Sequence, residues 1–134
     1  MLIDRRKLSM KIPQILFLIF VCLFLNKSFA EEVVINDIEV ARQEAKETDT
    51  KLLLVFTADW CTYCTYLKND LTANMEMVNE KYTVCFVDFD SNPELARKYK
   101  VTSIPASIAF EDKVYYKKVG YGRNFLSYMQ FLKL

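Results

Sequence analysis

Lys51-Leu52-Leu53-Leu54-Val55-Phe56-Thr57 runs directly into Ala58-Asp59-Trp60-Cys61-Thr62-Tyr63-Cys64. The first half of that stretch is apolar without alternation, the pattern of a strand covered on both faces. The second half brings two cysteines three positions apart to the place where the strand hands over to a helix. That helix is expected to start at Cys61 and to carry Cys64, Leu67 and Leu71 on one side. Downstream, Met75 to Lys81 reads as a short helical piece and Thr83 to Phe89 as a second buried strand. Asn92-Pro93-Glu94 opens a further helix, a cap followed by proline at the first helical position, running to about Lys100. Ala106 to Phe110 and Val114 to Val119 flank the polar turn Glu111-Asp112-Lys113, a hairpin signal. After Gly120 and Gly122, Phe125, Met129 and Leu132 recur at helical spacing. Upstream, Asn36 is expected to cap a helix, with Glu39 three residues on, that continues through Ile38, Ala41, Arg42 and Ala45 to about Thr48. A strand–helix–strand unit followed by a hairpin implies an α/β fold. Its small mixed β-sheet joins a parallel βαβ unit to a C-terminal β-hairpin and is flanked by helices.

The first thirty residues have a different logic. Arg5, Arg6, Lys7 and Lys11 precede an unbroken apolar run from Ile15 to Leu25, and the short stretch Asn26-Lys27-Ser28-Phe29-Ala30 follows. A charged start, a short apolar run and small residues before a cut after Ala30 make a secretory signal peptide. Met10 offers a second possible start. The expected division is therefore residues 1–30 as signal peptide and residues 31–134 as one domain exported to a periplasm. The alternative is a membrane anchor formed by the same helix left uncleaved. The first thirty residues hold five Lys/Arg and one Asp, so the overall charge of +1 becomes −3 for the remainder. The positive charge belongs to targeting, and nothing in the balance calls for a nucleic-acid partner.

The chain contains no histidine. Ser-His-Asp and Cys-His nucleophiles, His-ligated zinc and HExxH proteases are thereby excluded. With 52% hydrophobic residues and 26% charged ones, the chain can bury a core. Of the four cysteines, Cys22 lies in the leader, and Cys61, Cys64 and Cys85 remain. A disulfide-stapled exported domain shows an even set at wider spacing, and zinc needs a second CxxC or histidines that are absent. The CxxC is therefore best read as a redox pair, with a static disulfide as the plain alternative. Cys85, between Val84 and Phe86, reads as a small buried hydrophobe. Met75 and Met77 read as core filler, Lys117-Lys118 as a solvated strand edge, and Tyr115, Tyr116, Tyr121 and Tyr128 as surface packing on sheet and helix.

Ala58-Asp59-Trp60-Cys61-Thr62-Tyr63-Cys64 after a buried strand resembles the active-site segment of the thioredoxin superfamily. Val101-Thr102-Ser103-Ile104-Pro105, just before a later strand, is similar to its cis-proline loop. In style the chain is most similar to exported thioredoxin-like reductases, notably the C-terminal periplasmic domain of the transmembrane disulfide-reductase family. The resemblance implies a thioredoxin fold over most of Asp37 to Leu134, and a thiol–disulfide oxidoreductase reducing or isomerising protein disulfides. It implies catalysis by Cys61 and Cys64, with Trp60, Tyr63 and a cis Ile104–Pro105 bond meeting the substrate. It also implies disulfide-containing protein substrates and a membrane-embedded reductase as electron donor. No organic cofactor or metal is needed, because the two sulfurs hold the electrons. A helix start favours the anion of Cys61, which attacks, and Cys64 resolves the mixed disulfide.

The chain departs from the family pattern where a buried acid often stands six residues before the first cysteine, a place held here by Val55. Thr62-Tyr63 is neither the Gly-Pro common in reductases of the family nor the Pro-His of its strong oxidants, and Thr65 stands where a Lys often follows the second cysteine. Lacking a histidine between the cysteines, the pair is expected to have a reducing or intermediate potential. Two other functions stay open at this point: a non-catalytic binding or assembly module of chaperone type, and a dedicated thiol supplier for cytochrome or metal-site maturation. The oligomeric state is left open.

Overall fold

The structure is a computed structural model that describes residues 12–25 and 35–134. The chain divides into two compact units, Met1–Val33 and Val34–Leu134. In the first, α1 spans Ile12–Leu25 and consists of IPQILFLIFVCLFL, without a charged residue. At ~1.5 Å per residue its length is about 21 Å, short of the ~30 Å hydrocarbon core. Among the described residues no helix is long and apolar enough to cross a membrane. The basic residues expected to start the signal, and the cut expected after Ala30, lie outside the described residues.

The second unit runs α2 (Ile38–Glu47), β1 (Lys51–Thr57), α3 (Thr62–Ala73), α4 (Met75–Asn79), β2 (Tyr82–Asp88), α5 (Pro93–Lys98), β3 (Ala106–Glu111), β4 (Val114–Val119) and α6 (Phe125–Leu132). The four strands lie in the order β2-β1-β3-β4, with β1 and β2 parallel and the other pairs antiparallel. β1 is therefore internal, and its unbroken apolar run reflects that place. Leu53 and Val55 enter one core with Leu67, Leu71, Val78, Phe86 and the α6 residues. Leu52, Leu54 and Phe56 enter the other with Ala41, Ala96, Tyr99 and Ile108. Alternate side chains of a strand point to opposite faces, so one continuous run feeds two cores. Ile35 adds a single parallel bridge to Cys85 on the outer edge of β2.

Several expectations are corrected. The cap of α2 is Asp37 rather than Asn36: its backbone is extended, and its carboxylate accepts the N–H groups of Glu39 at 2.8 Å and Val40 at 3.1 Å. Glu39 consequently falls at the second helical position, where it faces the positive end of the helix dipole but closes no capping box. Tyr121 and Tyr128 are buried rather than superficial. Tyr128 lies three residues after Phe125 and four before Leu132, on the inward stripe of α6, and its hydroxyl is paired with Ser107 at 2.6 Å. Met75 is in the core, whereas Met77 is exposed. β4 is the exposed edge strand as expected. There Lys117 Nζ donates to the carbonyls of Tyr99 at 3.4 Å and Lys100 at 2.9 Å, at the end of α5.

Candidate active site

Cys61 is the N-cap of α3 and not its first helical residue. Its backbone is extended, at φ −93° and ψ 103°, and this turns the sulfur back over the first helical turn. There Cys61 Sγ accepts the Cys64 backbone N–H at 3.3 Å. The first amides of a helix have no carbonyl partner within it, so a cap that accepts one of them satisfies a donor that would otherwise need water. When the cap is sulfur, the same N–H and the helix dipole favour its anion. Thr65 reinforces the turn, its N–H and its hydroxyl reaching the Cys61 carbonyl at 3.2 and 3.4 Å.

Cys64 lies one turn further in. The two Cα atoms are 5.2 Å apart and the sulfurs are bonded. Cys61 is 8% exposed and Cys64 2%, so the first cysteine is the less enclosed residue. Ala58, Cys61 and Cys64 form a small apolar cluster against which Ile104 packs. The loop that carries Ile104 is thus brought against the cysteines, although forty residues separate them in the chain. The Ile104–Pro105 peptide is cis. Pro105 is buried, and its carbonyl accepts the Gly120 N–H at 2.7 Å, tying this loop to the one that follows β4. Gly120 takes φ +78°, a conformation that a side chain would disfavour.

Around the sulfurs stands an exposed aromatic rim. Trp60 is 68% exposed, yet its Nε1–H donates to Asp90 Oδ2 at 2.8 Å. Asp90 belongs to the turn after β2, where its own N–H donates to the Asp88 carboxylate. Tyr63 is 55% exposed and meets Tyr66 edge-on, with ring centroids 6.1 Å apart. The Arg123 guanidinium lies over the Tyr66 ring at 4.3 Å. Nearby, Tyr121 donates its hydroxyl to the Asp70 carboxylate, and burial followed by that contact pushes its ionisation well above the usual phenol range. Beneath the site Val55 is fully buried and pairs across the sheet with Ser107.

Cys61, Cys64, Trp60, Tyr63, Ile104 and Pro105 are thus placed in one region, four of them on the β1–α3 segment and two on the β3 approach. Cys85 is not brought there. It lies in the opposite core, fully buried, and burial with the nearby Asp37 charge pushes its thiol up to about 11. Sequence reasoning missed Asp90, Asp70 and Arg123. Each meets its aromatic partner through a long-range contact. Among the described residues no three Cys, Asp or Glu side chains converge to hold a metal ion.

The thioredoxin family model matches residues 27–132. The chain belongs to the thioredoxin family. A thioredoxin of Rickettsia bellii is 31% identical over 87 residues, covering 65% of this chain and 71% of the relative. A thioredoxin of Echinococcus granulosus is 35% identical over 82 residues, covering 60% of this chain and 76% of the relative. Among solved structures, the germline-specific thioredoxin Deadhead of Drosophila melanogaster superposes with a TM-score of 0.63 at 22% identity, over 76% of this chain and 98% of that one. Oxidised mitochondrial thioredoxin 3 of Saccharomyces cerevisiae gives 0.59 at 23% identity, over 75% and 95%. At such identities the superpositions speak for the fold, while the family match and the bonded Cys61–Cys64 pair make this thioredoxin-family chain a thiol–disulfide oxidoreductase.

Proposed function

We propose that this thioredoxin-family protein works outside the cytoplasm as a reductase or isomerase of protein disulfides, with Cys61 as nucleophile and Cys64 as resolving thiol. The observation that carries the assignment is Cys61, the more exposed residue of the pair, capping α3 with its sulfur on the Cys64 amide. In the reduced protein the Cys61 thiolate attacks one sulfur of a substrate disulfide. A substrate thiolate leaves, and a Cys61–substrate mixed disulfide forms. Cys64, once deprotonated, attacks Cys61 Sγ, the second substrate thiolate leaves, and the intramolecular Cys61–Cys64 disulfide remains. Two electrons pass from the pair to the substrate. A dithiol donor, by resemblance a membrane-embedded reductase, restores the pair.

Trp60 and Tyr63 offer apolar surface to the substrate chain, and Ile104 and Pro105 close the site on the other side of the sulfurs. Pro105 has no backbone N–H to leave unsatisfied when a peptide lies over it. The extracytoplasmic location is supported by the basic start followed by the apolar Ile15–Leu25 run.

The test is a pair of variants in cells that export the protein. Cys64→Ser is expected to accumulate mixed disulfides through Cys61, and Cys61→Ser to trap none and lose disulfide turnover. Equal partner binding by both variants, without covalent adducts, would convert the assignment to a binding module. The potential of the couple against glutathione separates the directions, a strongly negative value marking a reductase.

A further inference from the structure

Among the described residues five non-glycine positions take a positive φ: Asp49, Lys100, Asp112, Arg123 and Lys133. Asp49, Lys100 and Lys133 complete the ends of α2, α5 and α6, and Asp112 turns the β3–β4 hairpin, all places where a left-handed residue is ordinary. Arg123, at φ 56°, does none of these things; it precedes Asn124, the cap of α6. The residue before it is Gly122, which could have taken that conformation freely. The chain instead holds a long cation in a disfavoured backbone state, and such outliers concentrate at functional sites.

What that conformation accomplishes is visible in the contacts. The Arg123 guanidinium lies 4.3 Å over Tyr66, and Tyr66 meets Tyr63, the residue between Thr62 and Cys64, at 6.1 Å. A positive charge therefore stands two rings away from the redox pair, through Tyr66 and Tyr63. Among the described residues no carboxylate lies within ion-pair distance of Arg123. Asp70, the acid of that corner, accepts the Tyr121 hydroxyl. The Trp60 flank, by contrast, holds two acids, Asp59 and Asp90, the second of them engaged by the indole.

We infer that Arg123 is a specificity-determining residue that selects disulfides with an Asp or Glu beside the attacked cysteine. The substrate carboxylate meets the guanidinium while Cys61 attacks the substrate sulfur. A guanidinium stacked on a ring keeps its N–H edge for a planar carboxylate, and its orientation is already set before binding. The inference rests on the disulfide-exchange function proposed above. An exposed ion pair of this kind gives a preference of about fivefold, and the preference shrinks as ionic strength rises beyond ~0.15 M.

The experiment uses prereduced, desalted protein mixed with three short peptides, each closed by one disulfide. One has Glu on the N-terminal flank of the reactive cysteine, one has Glu on its C-terminal flank, and one has Gln on both. Acid-quenched thiol release yields the second-order rate constant for each. Wild type is expected to favour one Glu peptide about fivefold over the Gln peptide, and Arg123→Gln to bring that ratio near one, whatever its absolute rate. Arg123→Lys should retain part of the preference. Turnover of all three peptides without an acidic preference, or a preference that survives in Arg123→Gln, overturns the assignment of Arg123 alone. No thiol release from any peptide overturns the disulfide-exchange function and this inference with it.

Discussion

Removing the hydroxyl of Tyr128 should destabilise the domain through a partner it leaves behind. Tyr128 Oη and Ser107 Oγ are 2.6 Å apart, Tyr128 is fully buried and Ser107 is 1% exposed. Tyr128→Phe keeps the ring, which packs edge-on to Tyr121 and nearly parallel to Phe125. The loss is therefore confined to the hydrogen bond and the stranded Ser107 hydroxyl. A buried polar group without a partner costs about 1–3 kcal/mol. Ser107→Ala is expected to cost a similar amount, because it strands the Tyr128 phenol in the same apolar core. The double variant strands nothing. Its loss should fall short of the sum of the singles by about 1–2 kcal/mol, in the range measured for contacting pairs. For a domain of this size each kcal/mol moves the melting temperature by about 4–8 °C. Urea unfolding of the oxidised protein at one pH provides all four corners of the cycle. Additive losses, or single losses below about 0.3 kcal/mol, would refute the reasoning, since they would mean that both hydroxyls find other partners.

Two further outcomes are expected. The Lys133 ammonium bonded to Glu111 at 3.1 Å, with Lys51 and Lys81 nearby, holds the Glu111 carboxyl below the usual carboxylate range. A lowered folded value contributes stability above the unfolded value of about 4.3 and loses it as pH falls through the folded one. Wild type should therefore exceed Glu111→Gln in urea midpoint near neutrality, and the gap should close in acid; a gap independent of pH would contradict the ion pair. Cys85, buried and with its thiol pushed up to about 11, should resist iodoacetamide in the reduced native protein at pH 8 and react only after unfolding. Peptide mapping that finds Cys85 labelled alongside Cys61 would show that the core opens locally.

The parts of this fold that were legible in the sequence are those fixed by local pattern. Leu52 to Phe56 reads as an internal strand because five consecutive buried positions leave no alternation. Asn92-Pro93 marks the start of α5 through backbone restrictions of proline alone. Errors arose where two neighbours compete for one role. Asn36 and Asp37 are both good caps, and only the backbone angles decide which side chain reaches the free amides. Tyr128 has both an apolar body and a polar tip, so composition places it on either side of α6 until Ser107 is seen across from it. The candidate site divides in the same way. Its cysteines lie three positions apart in sequence, whereas the Asp90 carboxylate bonded to the Trp60 indole N–H and the Arg123 cation over Tyr66 arrive from separate loops with no periodic signal.

Trp60 is the single tryptophan of the chain, and it adjoins Cys61. Its indole N–H is engaged by the Asp90 carboxylate. Disulfide sulfur quenches indole emission on contact, and a pair of thiols does so less. A difference in indole emission between the oxidised and reduced protein would therefore come from Trp60 alone, with no second tryptophan to dilute it. Emission recorded during reduction and reoxidation is the measurement that decides whether the indole senses the pair without an attached dye.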